Sequence, residues 1–109
     1  MSTSGLSGWT IRDYNTVCKF KNLVYIMVEI SATGSGLVTN DRLTWTNAIP
    51  ADYRPSYNFY SPIIGATEID RYMDISANAF IWMDGTIHID NFTGKTAKQF
   101  LICIISLCT

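Results

Sequence analysis

Charge is what this 109-residue chain has least of: Asp, Glu, Lys and Arg make up 16% of it, against 48% hydrophobic residues. So apolar a chain folds rather than staying disordered. A small soluble monomer normally carries more surface charge, so part of this surface is expected to be covered by another chain. The net charge is −1 and no basic run occurs, which removes the electrostatic footprint of phosphate-backbone binding and excludes nucleic acid as a partner. No uninterrupted apolar stretch reaches the ~18 residues of a membrane span, so no membrane insertion is expected. Cysteine is scarce and odd in number: Cys18, Cys103 and Cys108, without a C-x-x-C spacing, and His88 is the single histidine. A structural zinc site is therefore not expected, and no other cofactor is implied. Cys103 and Cys108 stand in an apolar run and read as buried thiols. They suit a protein made in a reducing cytoplasm, with one pairing left open.

Catalytic signatures are also missing. There is no G-x-S-x-G elbow and no H-E-x-x-H. Gly34-Ser-Gly36 lacks the third glycine and the following helix of a phosphate loop, and reads as a turn. A pair of carboxylates can be drawn from nine acidic residues in almost any chain of this size. No enzyme is expected.

What is present is strand periodicity. The opening MSTSGLSG (1–8) is small and polar, with no basic or apolar signal-peptide region. It reads as a flexible leader, a cloning remnant or the tail of a linker, ahead of a single β domain over 9–109. Leu23 to Ser31 alternates, with Val24, Ile26, Val28 and Ile30 on one face. A short strand over Asn15–Phe20 precedes it across a Lys21-Asn22 turn. Further strands are predicted around Trp45 (41–47), over 57–66 with Pro62 confining it to an edge or bulge, and over 71–83, 86–92 and 97–107. About seven short strands define an all-β fold: a compact antiparallel sandwich or jelly-roll-like barrel.

The turn Met83-Asp-Gly-Thr86 fixes a register. A two-residue Asp-Gly loop would mix apolar and polar residues on both faces. A three-residue loop, with Gly85 left-handed in a G1 bulge, puts Ile75, Ala77, Ala79, Ile81, Ile87 and Ile89 on one face. The opposite face then collects Tyr72, Asp74, Asn78, Phe80, Trp82, Thr86, His88 and Asp90, and this register is the one expected. The final run Phe100-Leu-Ile-Cys-Ile-Ile-Ser-Leu107 is apolar on both faces. One face belongs to the core; the other fits either a neighbouring subunit or a closed sandwich interior.

Aromatic rings beside Asp, Asn and His on a rigid strand pair suit a sugar, whose C–H face stacks on rings while its hydroxyls take hydrogen bonds. Trp82, His88, Asp90, Phe80, Asn78, Tyr72 and Asp74 are therefore the candidate saccharide site. The alternative is that Phe80 and Trp82 pack against a neighbouring subunit or a covering loop, with His88 and Asp90 bonded locally. Arg42 and Trp45 form a secondary candidate, and Trp9 reads as core or a lid. All three prolines and four aromatic rings fall in NAIPADYRPSYNFYSP (47–62). Pro50 and Pro55 fix φ near −65° and make their preceding residues extended, so Pro50, Tyr53, Arg54 and Pro55 are expected to form a stiff structural crossover. Arg54 would anchor it through backbone carbonyls or a carboxylate.

In order, Lys21-Asn-Leu-Val-Tyr25, a Gly/Ser break, Ala48-Ile-Pro-Ala-Asp-Tyr-Arg-Pro-Ser56, Asp84-Gly-Thr-Ile87 and an apolar last strand resemble the C-terminal head domain of tail-fibre and baseplate receptor-binding proteins. These belong to phages of Gram-positive bacteria, lactococcal siphophages among them. The resemblance covers 15–109. It implies a homotrimer of β heads at the virion tail tip, assembled in the host cytoplasm and acting outside it, joined to other tail or baseplate proteins. Each head would bind host cell-wall polysaccharide or teichoic acid without cleaving it. In some such heads a His-x-Asp pair lies in the saccharide pocket with a nearby Trp and Arg. His88-Ile-Asp90 matches that pair, but no Trp or Arg follows it here, so Trp82 or an Arg from a neighbouring subunit would have to complete the set. The short leader stands where a full receptor-binding protein carries a shoulder or stalk, so an excised head or a small accessory protein is implied. Two other readings compete: a structural trimerisation cap without a ligand, and a jelly-roll head binding a protein partner.

Overall fold

The computed structural model describes residues 1–70 and 73–108. It is all-β: β1 (Trp9–Phe20), β2 (Leu23–Ala32), β3 (Asp41–Trp45), β4 (Phe59–Ala66), β5 (Ile75–Ile81), β6 (Ile87–Asn91) and β7 (Gln99–Leu107). They join in one antiparallel sheet in the order β1-β2-β7-β4-β5-β6-β3, curled into a half-barrel. Alternation in β2 and β7 sends Val24, Ile26, Val28, Ile30, Phe100, Ile102 and Ile104 into the curl. There they meet Ile75, Ala79, Ile81, Ile87, Ile89 and the fully buried Trp45. Burying each such aliphatic side chain contributes about 1.5–3 kcal/mol.

The sheet bends where β4 meets β7. Their ladder has only three pairs, Ile64↔Leu101, Gly65↔Phe100 and Ala66↔Gln99. Gly65 permits the approach: a Cβ there would lie 2.7 Å from the Gln99 carbonyl oxygen and 2.8 Å from the Phe100 ring. Pro62 falls where β4 pairs with β5 but has left β7, the edge position its missing N–H demands.

β1 begins six residues earlier than the sequence suggests, at Trp9 instead of Asn15. Between Ile11↔Ile30 and Asn15↔Val28, three residues (Arg12, Asp13, Tyr14) oppose the single Glu29. That bulge breaks the two-residue period on which the expectation rested. The leader 1–8 also departs from expectation, being laid against the fold. Leu6 is buried, the indole Nε1 of Trp45 donates to the Ser2 carbonyl at 2.8 Å, and Thr33 N–H donates to the Gly8 carbonyl at 3.0 Å. Trp9 is core, 5.6 Å from Phe100 between ring centroids. Cys108 is buried but Cys103 is exposed, correcting its expected burial: alternation puts it on the outer side of β7, and all three thiols are free.

The proline segment is the predicted crossover. Pro50 (φ −57°, ψ 149°) leads into a 3-10 turn over Ala51–Tyr53, and Arg54 is extended at φ −74°, ψ 144°. The Arg54 Nε donates to the Ile49 carbonyl at 3.0 Å, and Ile49 N–H donates to the Gly85 carbonyl at 3.0 Å. The crossover is thereby fastened to the β5–β6 hairpin.

Candidate functional site

The hairpin turn has the three-residue form. Trp82 N–H donates to the Thr86 carbonyl at 2.9 Å, Gly85 N–H donates to the Trp82 carbonyl at 3.0 Å, and Gly85 sits at φ +89°. Asp84 Oδ1 accepts from Thr86 N–H at 2.9 Å, a bond that holds the Asp84 carboxyl below its ordinary pKa. Register follows: Ile81↔Ile87, Phe80↔His88, Ala79↔Ile89 and Asn78↔Asp90. The alternative slip would have sent Ile87 and Ile89 to the outside.

Cross-strand pairing carries the outer face beyond the hairpin. On one side Tyr60↔Phe80 and Pro62↔Asn78 add β4; on the other Thr44↔His88 and Arg42↔Asp90 add β3. Two rows result, Tyr60–Phe80–His88–Thr44 and Pro62–Asn78–Asp90–Arg42. The Tyr60 and Phe80 rings stack at 4.1 Å and 8°, with Tyr60 65% exposed. Trp82 stands edge-on to both Phe80 (5.9 Å, 85°) and His88 (4.4 Å, 65°). Arg42 grips Asp90 with two bonds, Nε to Oδ1 at 2.6 Å and an Nη to Oδ2 at 3.0 Å, which raises the Arg42 pKa.

His88 is buried beneath these side chains. Its Nδ1 shares a hydrogen bond with Thr44 Oγ1 at 3.1 Å. Burial, then the Arg42 cation, lower its pKa from the ordinary 6.5, against the opposing pull of Asp90 and Asp84. The imidazole is therefore neutral at pH 7. Two polar atoms in this cluster, Trp82 Nε1 and His88 Nε2, are buried without a hydrogen-bond partner. Unpartnered buried polar groups cost about 1–3 kcal/mol each, a cost tolerated where a group serves something beyond folding.

The structure brings together Phe80, Trp82, His88, Asp90 and Asn78 as the sequence suggests, and adds Arg42. Asp74 does not join them. Its carboxylate closes the β4–β5 loop, accepting from Thr67 N–H and Oγ1 at 3.0 Å each, which lowers its pKa. Tyr72 lies outside the described residues. Trp45 is corrected: three residues from Arg42, it points to the opposite face and is fully buried in the core. Arg42 reaches Asp90 from the adjacent strand of the same chain. Tyr60 was missed; the alternation of Phe59–Ala66 puts it on one face with Pro62, but only the β4–β5 ladder shows that this face is shared with Phe80.

The same outer face changes character across β7. Three rows there are Phe20–Leu23–Leu107, Cys18–Tyr25–Ile105 and Thr16–Met27–Cys103. Phe20 is 73% and Ile105 66% exposed. The Tyr25 hydroxyl lies 3.8 Å from Cys103 Sγ, a contact that raises the Tyr25 pKa. Between the halves, where β4 and β7 part, lies a shallow depression of about 190 Å³ lined by Pro62, Ile63, Ile64, Leu101 and Cys103.

Fold and site together define a curled antiparallel β domain whose outer face carries an aromatic, hydrogen-bonding patch at one end. Among the described residues no cluster of His, Cys, Asp and Glu could hold a metal ion, and no helix is long and apolar enough to cross a membrane. No protein-family model, curated protein or solved structure matches the chain.

Proposed function

We propose that this chain is the host-recognition head of a phage tail receptor-binding protein. It binds cell-wall saccharide, a polysaccharide or a teichoic acid, without cleaving it, and works as a homotrimer at the virion tail tip with other tail or baseplate proteins. One observation carries the saccharide part: stacked and edge-on rings (Tyr60, Phe80, Trp82) border an Arg42–Asp90 pair and His88, with Trp82 Nε1 and His88 Nε2 unpartnered. Rings offer a surface for the C–H face of a sugar. The carboxylate, guanidinium and asparagine amide offer donors and acceptors at fixed spacing on a sheet. The phage part rests on the ordered sequence motifs alone.

The competing reading is a structural cap that binds nothing. It is favoured by the partners that Asp90 and His88 Nδ1 find within the chain. The open aromatic surface weighs against it: Tyr60, stacked on Phe80, is 65% exposed beside the Arg42–Asp90 pair.

Calorimetric titration with purified wall polysaccharides from a panel of Gram-positive strains tests the proposal. Binding to at least one is expected, weakened at least tenfold by Trp82→Ala or Asp90→Ala while oligomeric state is kept. Wild-type protein that binds no preparation, or variants that bind as well as wild type, would sink it.

A further inference from the structure

We infer that His88 is an acid-operated switch beneath the aromatic patch: on taking up a proton its ring displaces Trp82 and undoes the edge-on arrangement of the outer face. The conformational change stands by itself; its effect on a ligand rests on the saccharide reading above.

The surroundings of the two ring nitrogens carry it. Nδ1 keeps a partner in either state, because the Thr44 hydroxyl at 3.1 Å donates to a bare nitrogen or accepts from a protonated one. Nε2 has no such partner: His88 is 7% exposed, and this atom is buried without a hydrogen bond. A neutral imidazole tolerates one unmade bond. An imidazolium does not, since desolvating a charge costs far more than desolvating a neutral group. The charged groups that face the ring offer no relief where they stand. On β3 the Arg42 cation repels it. On β6 both oxygens of Asp90 are already held by Arg42, at 2.6 and 3.0 Å, and at the turn Asp84 Oδ1 accepts from Thr86 N–H. From β5 and its end come the rings of Phe80 and Trp82, and behind Phe80 the β4 phenol of Tyr60. Burial and the Arg42 cation hold the His88 pKa below 6.5, so the proton arrives only in acid.

One wall of this site is free to move. Trp82 is half-buried, stands 4.4 Å from His88 between ring centroids, and has its own Nε1 buried without a partner. Its backbone is pinned by the turn, N–H to the Thr86 carbonyl and carbonyl from Gly85 N–H, so the side chain changes rotamer without breaking the ladder. Swinging out brings water to both unpartnered nitrogens at once. Phe80 is less free, because it is stacked on Tyr60 at 4.1 Å. In acid the patch therefore loses its edge-on indole, and a sugar resting on that ring is released.

NMR of the whole chain reads both ends of the switch without a substitution. His88 is the single histidine and Trp82 one of three tryptophans, its indole signal assigned by its loss in Trp82→Phe. Between about pH 7.5 and about pH 4.5 the His88 ring should titrate with a midpoint below 6.5. The Trp82 indole N–H should shift and exchange faster with water at that same midpoint, while the indole of Trp45, bonded to the Ser2 carbonyl, stays unchanged. Trp82→Ala removes the wall and should bring the His88 midpoint up toward 6.5; His88→Gln should leave the Trp82 signal flat. A midpoint at or above 6.5, no titration in this range, a Trp82 signal that ignores His88, or a Trp45 signal that moves with it as the whole fold opens, overturns the inference. With wall polysaccharide, wild-type affinity should fall at least threefold from the upper to the lower pH, and the ratio should return to near one in His88→Gln. Equal affinity at both pH values overturns the release of ligand. Binding at neither pH counts against the saccharide reading alone, and the NMR titration still decides the switch.

Discussion

The two halves of the outer face hang on one sheet, joined at Ile64↔Leu101, yet they resolve exposure differently. On the β1-β2-β7 side, apolar side chains stand in the open with little for water to bond. On the β4-β5-β6-β3 side, polar groups are drawn down beneath aromatic rings, so that His88 and Asp90 are buried although they point away from the core. A sheet face that needed only solubility would do neither. Exposed Ile and Phe cost solvation, and a buried His and Asp cost desolvation. One half leaves apolar side chains uncovered, and the other leaves Trp82 Nε1 and His88 Nε2 without a hydrogen-bonding partner.

The contrast can be broken most strongly through the tryptophans that flank it. Trp45, fully buried on the inner side, should cost about 3–5 kcal/mol as Trp45→Ala. Trp82→Ala, on the outer side, should cost less than about 1.5 kcal/mol, both read by denaturant titration. Equal losses would mean that the outer patch is simply more core. Next in size is Gly85→Ala. An alanine there keeps φ +89° and places its Cβ 2.6 Å from Arg54 Nε and 2.7 Å from the Ile49 carbonyl oxygen, so a loss of about 2–3 kcal/mol is expected. Because Arg54 fastens the crossover to this turn, Arg54→Ala should lower stability and leave saccharide affinity unchanged.

Smaller effects sharpen the polar half. The Arg42 and Asp90 side chains are 45% and 10% exposed, so a double-mutant cycle of Arg42→Ala with Asp90→Ala should give a coupling of about 0.5–1.5 kcal/mol. A coupling of zero would make the pair an accident of the surface. The smallest effect is that of pH. The folded chain holds His88 below its ordinary pKa of 6.5, so the unfolded chain takes up the proton first. Stability from this group is therefore full above about pH 7 and falls as pH drops through 6.5 toward the folded value. Asp74 and Asp84, with depressed pKa values, act only near and below about pH 4. The melting temperature should decline from pH 7 to pH 5 in wild type and flatten in His88→Gln.

The fold class and the β5–β6 face were legible in the sequence for one reason: both depend on local period and turn chemistry. A slip of one residue at Asp84-Gly85 would have exposed Ile87 and Ile89, so the pattern admits one register. What was not legible depends on pairing between distant segments. Arg42 reaches Asp90 across 48 residues of chain and Tyr60 stacks on Phe80 across the β4–β5 ladder, and no local pattern announces either. The bulge in β1 interrupts alternation and hides the start of that strand, and the small polar residues of the leader carry no period. Trp45 stands three positions from Arg42 on β3, and i and i+3 on a strand face opposite ways, so closeness in sequence does not put the two in one site.

The most direct test of the division is one titration series, with wall polysaccharide of a binding strain added to Trp82→Ala and to Ile105→Glu. If the polar half alone takes the saccharide, Trp82→Ala loses at least tenfold in affinity, while Ile105→Glu keeps its affinity per site. Loss of affinity in both variants, or in neither, would contradict it.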